Sequence, residues 1–464
     1  MIVDGDLRSS VEGPAAVMVS ATHSGAGKTT ITRALLWALR ERGLVVQSFK
    51  IGPDFIDPMY HRALTGRASV NLDLWMMGED GLREVFARWS AGADAVVIEA
   101  MGALFDGADG GGFGSASHVA AILGVPVMVV VDVWGMTRTA GAVMHGMEGF
   151  DPQVEIGGFI LNRVGSRAHR DLIEQGIGEA RWRRVVATVE ADPALEVPER
   201  HLGLLTPYEN PADTAGGVAR AGKQIDVDRV FGGLAVGRQV RSAVPARAGR
   251  RASRARLALA RDAAFCFYYE ENLAALAEAG FELAEFSPIA GEALPPSCDA
   301  VYFGGGYPES FAAALAANSR LAAQLRDAAE REMPIYGECG GLVWLGRTLR
   351  TQDGVEYPMS GVLPVDITMD PRHLAIRYVE LTTGADSLLG KRGTVLRGQE
   401  FHQSRIAACP IPADFYAVRT SDGEEFRAGY QYRGVVASYL HVYFAGQGST
   451  VADHFVETAS RWRP

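Results

Sequence analysis

The chain has 464 residues, 48% of them apolar, and a formal net charge of −10. A single hydrophobic core stops growing near roughly 250 to 300 residues, so two domains are expected. The negative balance excludes a generic nucleic-acid binder, which needs a basic surface to displace counterions from phosphates.

Cys266, Cys298, Cys339 and Cys409 are too widely spaced for a disulfide framework or a Cys-x-x-Cys metal site. The start, Met1-Ile2-Val3-Asp4-Gly5-Asp6, lacks the basic and apolar regions of an export signal. The most apolar stretch, residues 119–131, is short and contains Pro126. The expectation is a soluble protein of the cytoplasm with no membrane or nucleic-acid partner.

Residues 15–20 read as a buried strand, and residues 30–42 show helical spacing at Ile31, Leu35, Leu36 and Leu39. Strands follow at residues 45–49, 95–99, 125–131 and 158–161, separated by helical stretches. Such alternation predicts a parallel sheet covered on both faces, with its ligand site beyond the carboxyl ends of the strands. Between residues 226 and 253 the periodicity gives way to Gly, Ala, Pro and Arg, with Arg238, Arg241, Arg247, Arg250, Arg251, Arg254 and Arg256 crowded together. This reads as a solvated linker, or else as a basic flap over an anionic substrate. A second αβ series follows, with strands at 257–260, 281–286, 300–303 and 335–336, a helix at 272–279, and a strand at 435–439 that delivers His441. The expected division is 1–235, a linker at 236–254, and 255–464. The class is α/β throughout.

Two motifs carry chemistry. Ser24-Gly25-Ala26-Gly27-Lys28-Thr29-Thr30 lies between strand and helix, where glycines let backbone N–H groups approach phosphate oxygens and a lysine meets the outer phosphates. Thr22 stands where the strict pattern has Gly. Thr29 would offer a hydroxyl to Mg²⁺, whose remaining positions need water, phosphate and one or two carboxylates. Asp54 and Glu99, at strand ends facing the same crevice, are the candidates, while Asp57 and Asp106, with Lys50, are candidates for positioning the group that is phosphorylated.

The second motif is Gly337-Glu338-Cys339-Gly340-Gly341. A strand-to-helix turn flanked by glycines exposes a thiol, and the helix N-terminus is expected to lower its pKa. Gly340, with Gly305 and Gly306 from the Gly304-Gly305-Gly306-Tyr307-Pro308-Glu309 loop, could form an oxyanion hole. His441 is the expected base and His402 the alternative. A thiol site and a phosphate site in one chain suit the release of ammonia from glutamine and its transfer to an activated carboxylate. The other class of reading is a partition-type ATPase that dimerises on nucleotide, but His23 occupies the position of that group's second lysine.

Over essentially its whole length the chain resembles the cobyrinic and hydrogenobyrinic acid a,c-diamide synthase family. The resemblance rests on the two motifs above, on Phe49-Lys50-Ile51-Gly52-Pro53-Asp54-Phe55-Ile56-Asp57-Pro58, Asn71-Leu72-Asp73, Leu104-Phe105-Asp106-Gly107 and the glycine loop ending at Glu309. It implies a P-loop, dethiobiotin-synthetase-like domain followed by a class I glutamine amidotransferase-like domain. ATP and glutamine would be co-substrates, Mg²⁺ the cofactor and a tetrapyrrole polycarboxylate the partner, with room for a homodimer. The implied reaction is amidation of the a and c acetates of a corrin through acyl phosphates. Tyr443 stands where many amidotransferases complete a triad with Glu, which implies a Cys-His dyad. Glu99-Ala100-Met101-Gly102-Ala103-Leu104 and His373-Leu374-Ala375-Ile376-Arg377-Tyr378 depart from the family pattern, so sirohydrochlorin, its nickel form and sirohaem stay open as substrates.

Overall fold

A computed structural model describes residues 14–107, 110–196, 199–200, 203–209, 215–232, 252–445 and 450–463. These fall into two compact units, the first taking in Leu82–Glu196 with most of the chain before it, the second most of the chain from Pro245 onward. Arg238, Arg241, Arg247, Arg250 and Arg251 of the expected linker lie outside the described residues. Arg254 and Arg256 do not belong to a solvated tether: the Arg254 N–H donates to Gly280 O at 2.9 Å, and Arg256 lies within a strand, 3.3 Å from Glu282.

The first unit holds seven strands: β1 (Ala15–Ala21), β2 (Val46–Ile51), β3 (Val70–Leu72), β4 (Ala95–Glu99), β5 (Val127–Asp132), β6 (Ile156–Val164) and β7 (Val185–Glu190). They pair in the order β3-β2-β4-β1-β5-β6-β7, all parallel. Every residue of β2 and β4 is buried; β4 accordingly reads as a nearly continuous apolar run, whereas β2 buries Gln47, Ser48 and Lys50 along with its apolar residues. Because β1 lies between β4 and β5, the carboxyl ends of β2, β4 and β1 open side by side. Helix α1 (Lys28–Glu41) follows β1 and buries Ile31, Leu35, Leu36 and Leu39, each worth about 1.5–3 kcal/mol by removal from water. Gly43, at φ 77°, ends it. Helix α2 (Ile56–Thr65) follows β2.

The second unit is built on a six-stranded sheet. Its strands β8 (Ala255–Ala260), β9 (Phe281–Phe286), β10 (Ala300–Phe303) and β11 (Ile335–Glu338) pair in the order β9-β8-β10-β11, followed by Val435–Ser438 and an antiparallel edge strand, Tyr430–Tyr432. A five-stranded antiparallel sheet packs against it, in the order Glu425–Ala428, Tyr416–Thr420, Ala375–Thr383, Val395–His402, Leu440–Tyr443. Tyr302, Tyr336, Val379, Leu381, Leu440 and Val442 share the core between the two.

One expectation is corrected here. The strand from residue 435 stops at Ser438, and His441 sits in the separate strand Leu440–Tyr443, which pairs with Val395–His402 in the second sheet. Cys339 and His441 are therefore carried by different sheets.

Candidate functional site

In the first unit the turn after β1 places Gly25 and Gly27 at φ 84° and 97°, a conformation that costs a side-chain-bearing residue about 1–2 kcal/mol. Ser24 and Gly25 are exposed, Ala26 and Lys28 are buried, and Thr29 and Thr30 are half-buried. No side chain caps α1, so its first N–H groups remain for an anion. Asn162, near the end of β6, donates to Ala26 O at 2.9 Å and braces the turn from below. A Cβ on Gly27 would lie 2.1 Å from the Asn162 amide nitrogen, so close packing as well as φ requires glycine there.

The charged groups expected at strand ends do converge. Lys50 Nζ, 3% exposed, donates to Asp57 and to Glu99 Oε1 at 2.9 Å and lies 3.5 Å from Asp54 Oδ2. Thr29 Oγ1 donates to Glu99 Oε1 at 2.7 Å and stands 3.4 Å from both Asp57 carboxylate oxygens. His61, wholly buried on α2, meets Glu99 Oε2 at 2.7 Å and Ser69 Oγ at 3.1 Å. Asp54 is the outlying acid: Oδ1 accepts from the Ile56 N–H at 2.7 Å and shapes the turn into α2. Asn71 donates to Gly52 O at 2.8 Å and Asp54 O at 2.7 Å, which explains the place of the Asn71-Leu72-Asp73 motif. Asp106 stands exposed on the loop after β4, outside this buried cluster.

Burial alone would neutralise these groups, yet mutual charge decides their states. Desolvation pushes Lys50 down, but Asp57, Glu99 and Asp54 outweigh it and hold the ammonium well above its ordinary range. Desolvation likewise pushes Glu99 up, and Lys50 and His61 overcome it. Asp57 goes the other way: burial and the charge of Glu99 raise it beyond what Lys50 recovers. Lys28 is lowered by burial and then by Lys50. Among the described residues no three His, Cys, Asp or Glu side chains form a metal cage. The hydroxyl of Thr29 with the carboxylates of Glu99 and Asp57 is instead the sparse, hard-oxygen set that suits Mg²⁺.

In the second unit Cys339 follows β11 directly and precedes the short helix Gly340–Leu345, at φ 49° and ψ −99°, which is strained backbone for a residue with a side chain. Its N–H donates to Ser438 O at 2.7 Å, and Sγ lies 3.8 Å from Phe401 O. Gly305 packs on the His441 ring, since a Cβ there would meet Cε1 at 2.3 Å, and a Cβ on Gly340 would meet Gly306 N at 3.2 Å. Thus the imidazole, the glycine turn after β10 and the start of the Cys339 helix share one contact shell. The Gly305 N–H donates to Phe267 O at 3.3 Å, so of the three expected oxyanion donors Gly305 is committed elsewhere.

The expected depression of the thiol pKa is not found. Burial, reinforced by Glu309 and Glu338, raises Cys339 above its ordinary value despite the opposing pull of the Gly340 N–H. Burial and the nearby His402 lower His441 to about 3. The resting pair is a neutral thiol and a neutral imidazole. His402 has both ring nitrogens engaged, by Glu400 at 2.9 Å and Ser404 O at 2.7 Å, and stacks on Tyr439 at 3.7 Å, which leaves it no nitrogen for a thiol. Tyr443 is buried and meets Tyr269 edge-on. Two residues were not singled out from sequence, Glu338 and Asn272. Both bind the main chain of Val442, beside His441. Only the adjacency of Glu338 to Cys339 hinted at the first.

Comparison with known proteins agrees with these two centres. Residues 17–205 match the CobQ/CobB/MinD/ParA nucleotide binding domain, and residues 256–449 match the CobB/CobQ-like glutamine amidotransferase domain. A cobyrinate a,c-diamide synthase of Caldanaerobacter subterraneus subsp. tengcongensis is 37% identical over 92% of this chain and 94% of its own length. The enzymes of that name from Syntrophotalea carbinolica and Gloeobacter violaceus are 38% and 39% identical, each over 93% of this chain and over 96% and 94% of their own lengths. With a phosphate-loop unit and a Cys-His unit joined in this order and matched end to end, the chain belongs to the cobyrinate a,c-diamide synthase family of amidating ligases.

Proposed function

We propose that the chain amidates the a and c acetate side chains of a corrin-type tetrapyrrole, cobyrinic or hydrogenobyrinic acid, using ATP and glutamine. The observation that carries this reading is full-length similarity to relatives bearing that name, together with the pairing of a thiol centre and a phosphate centre. In the glutaminase half His441 accepts the Cys339 proton as Sγ attacks the glutamine carboxamide. The oxyanion is met by the N–H groups of Gly306 and Gly340. His441 returns the proton to the departing ammonia, leaving a glutamyl thioester that water hydrolyses.

In the synthetase half Ser24 to Thr30 cradle the phosphates, with Lys28 reaching the outer ones. Thr29, Glu99 and Asp57 would hold Mg²⁺, which supplies charge to offset that of the phosphates. We favour Asp57 over the sequence choice Asp54 because it is the acid beside Thr29. Lys50 and the more outlying Asp54 and Asp106 are left to orient the acetate carboxylate. That carboxylate takes the terminal phosphoryl group from ATP, and ammonia displaces phosphate from the acyl phosphate. Ammonia attacks the acyl phosphate only in its unprotonated form.

The test is a pair of variants assayed with glutamine or with ammonium salts. Cys339→Ala should lose glutamine-dependent amidation and retain ammonium-dependent amidation; loss of both would remove Cys339 from a purely glutaminase role. Lys28→Ala should lose both. Mass gain on cobyrinic acid, hydrogenobyrinic acid and sirohydrochlorin reads the substrate and the number of amidations, and gain on sirohydrochlorin alone would replace the corrin reading.

A further inference from the structure

Glu338 is 1% exposed and carries three hydrogen bonds: Oε1 accepts from the Val442 N–H at 2.9 Å and the Tyr336 hydroxyl at 2.9 Å, and Oε2 meets the Tyr302 hydroxyl at 2.7 Å. Its place is the seam between the sheets, as the last residue of β11 before Cys339 and opposite the strand that carries His441. That strand is an edge. It pairs on one side with Val395–His402, and on the other the Val442 peptide is clamped, N–H by Glu338 and C=O by the Asn272 amide at 2.7 Å. Asn272 Oδ1 then takes the Phe444 N–H at 2.7 Å. An apolar side chain at 338 would leave a buried N–H without an acceptor one residue from the catalytic imidazole.

We propose that Glu338 is the positioning residue of the glutaminase centre: its carboxyl ties the strand bearing Cys339 to the main chain beside His441 and so fixes the imidazole relative to the thiol. This rests on the glutaminase reading above. The choice of a carboxyl over an amide has a second effect. Burial pushes Glu338 up to about 7, the three hydrogen bonds opposing it in part. The titratable groups that face it are Tyr302, Tyr336, Tyr268, Tyr416 and Cys339, none of them a cation. Below about pH 7 it is therefore neutral, and Cys339 ionises without a like charge next to it; above that the carboxylate opposes the thiolate.

The experiment compares wild type, Glu338→Gln and Glu338→Ala in two readouts: ammonia release from glutamine, resolved into kcat and KM, and iodoacetamide alkylation of the Cys339 peptide between about pH 6 and 9. Glu338→Ala should lose roughly 100-fold in kcat with KM changed less than about 3-fold, the signature of a displaced catalytic group. Glu338→Gln keeps an acceptor for Val442 and should retain kcat within about 3-fold. Its alkylation should be faster than that of wild type above about pH 7 and match it below, because the charge that opposes the thiolate is gone. Wild-type turnover in Glu338→Ala, or an alkylation profile of Glu338→Gln that superimposes on wild type, overturns the proposal. If Glu338→Ala fails to fold, the Gln profile decides alone. If wild type releases no ammonia, the glutaminase reading fails, and the alkylation profiles still judge Glu338.

Discussion

In the first unit Lys50 is surrounded by Asp54, Asp57 and Glu99, and Thr29 and His61 lean on the same carboxylates, so Lys50 and Glu99 hold each other charged while Asp57 between them is pushed toward its neutral form. In the second unit Cys339, His441 and Glu338 are buried as deeply, yet the pKa shifts of all three favour the uncharged form at neutral pH or below. The difference follows the ligands. A polyphosphate brings charge that the site must meet, whereas glutamine presents a neutral carboxamide, and a site without standing charge loses less on excluding water around it.

The comparison breaks most visibly at Lys50. Lys50→Met removes the counter-charge of buried carboxylates and should cost about 3–5 kcal/mol in urea unfolding at neutral pH, with ATP-dependent amidation lost. A cost below about 1 kcal/mol would mean the acids do not depend on the lysine. Asn162→Ala deletes the brace under the phosphate loop and should cost about 1 kcal/mol. It should raise KM for ATP while leaving glutaminase turnover untouched, and an equal loss in both halves would end the separation drawn here. The smallest effect is expected at the thiol turn. Cys339→Gly should be more stable than Cys339→Ala by about 1 kcal/mol, because glycine relieves the strained φ and ψ at the cost of its own chain entropy. Both variants should be inert toward glutamine.

The first unit was legible because its central strands are largely buried and mostly apolar; β4 was read to the residue, Ala95–Glu99. Strand β3 is three residues long and too short to show a period. The antiparallel sheet of the second unit went unread, since its alternation is broken: in Ala375–Thr383 Ile376 is exposed and Arg377 falls in register with Ala375, Val379 and Leu381, and Val395–His402 buries Gly398, Gln399 and Glu400 in succession. That sheet holds His441, so the residue was named from its motif while its support was not. The acid cluster was foreseen as candidates at strand ends. What sequence could not show is that Asp57 rather than Asp54 stands beside Thr29, or that the Gly305 N–H is already donated to Phe267, because those contacts turn on the folded positions of distant residues. Glu338 and Asn272 act on backbone atoms far away in the chain, and no local spacing announces such contacts.

The cover over Cys339 has a chemical consequence beyond turnover. Peroxide and other oxidants attack thiolates, and they attack those that solvent reaches. At 8% exposure and with its ionisation disfavoured by burial, the Cys339 sulfur is a poor target for sulfenic acid formation.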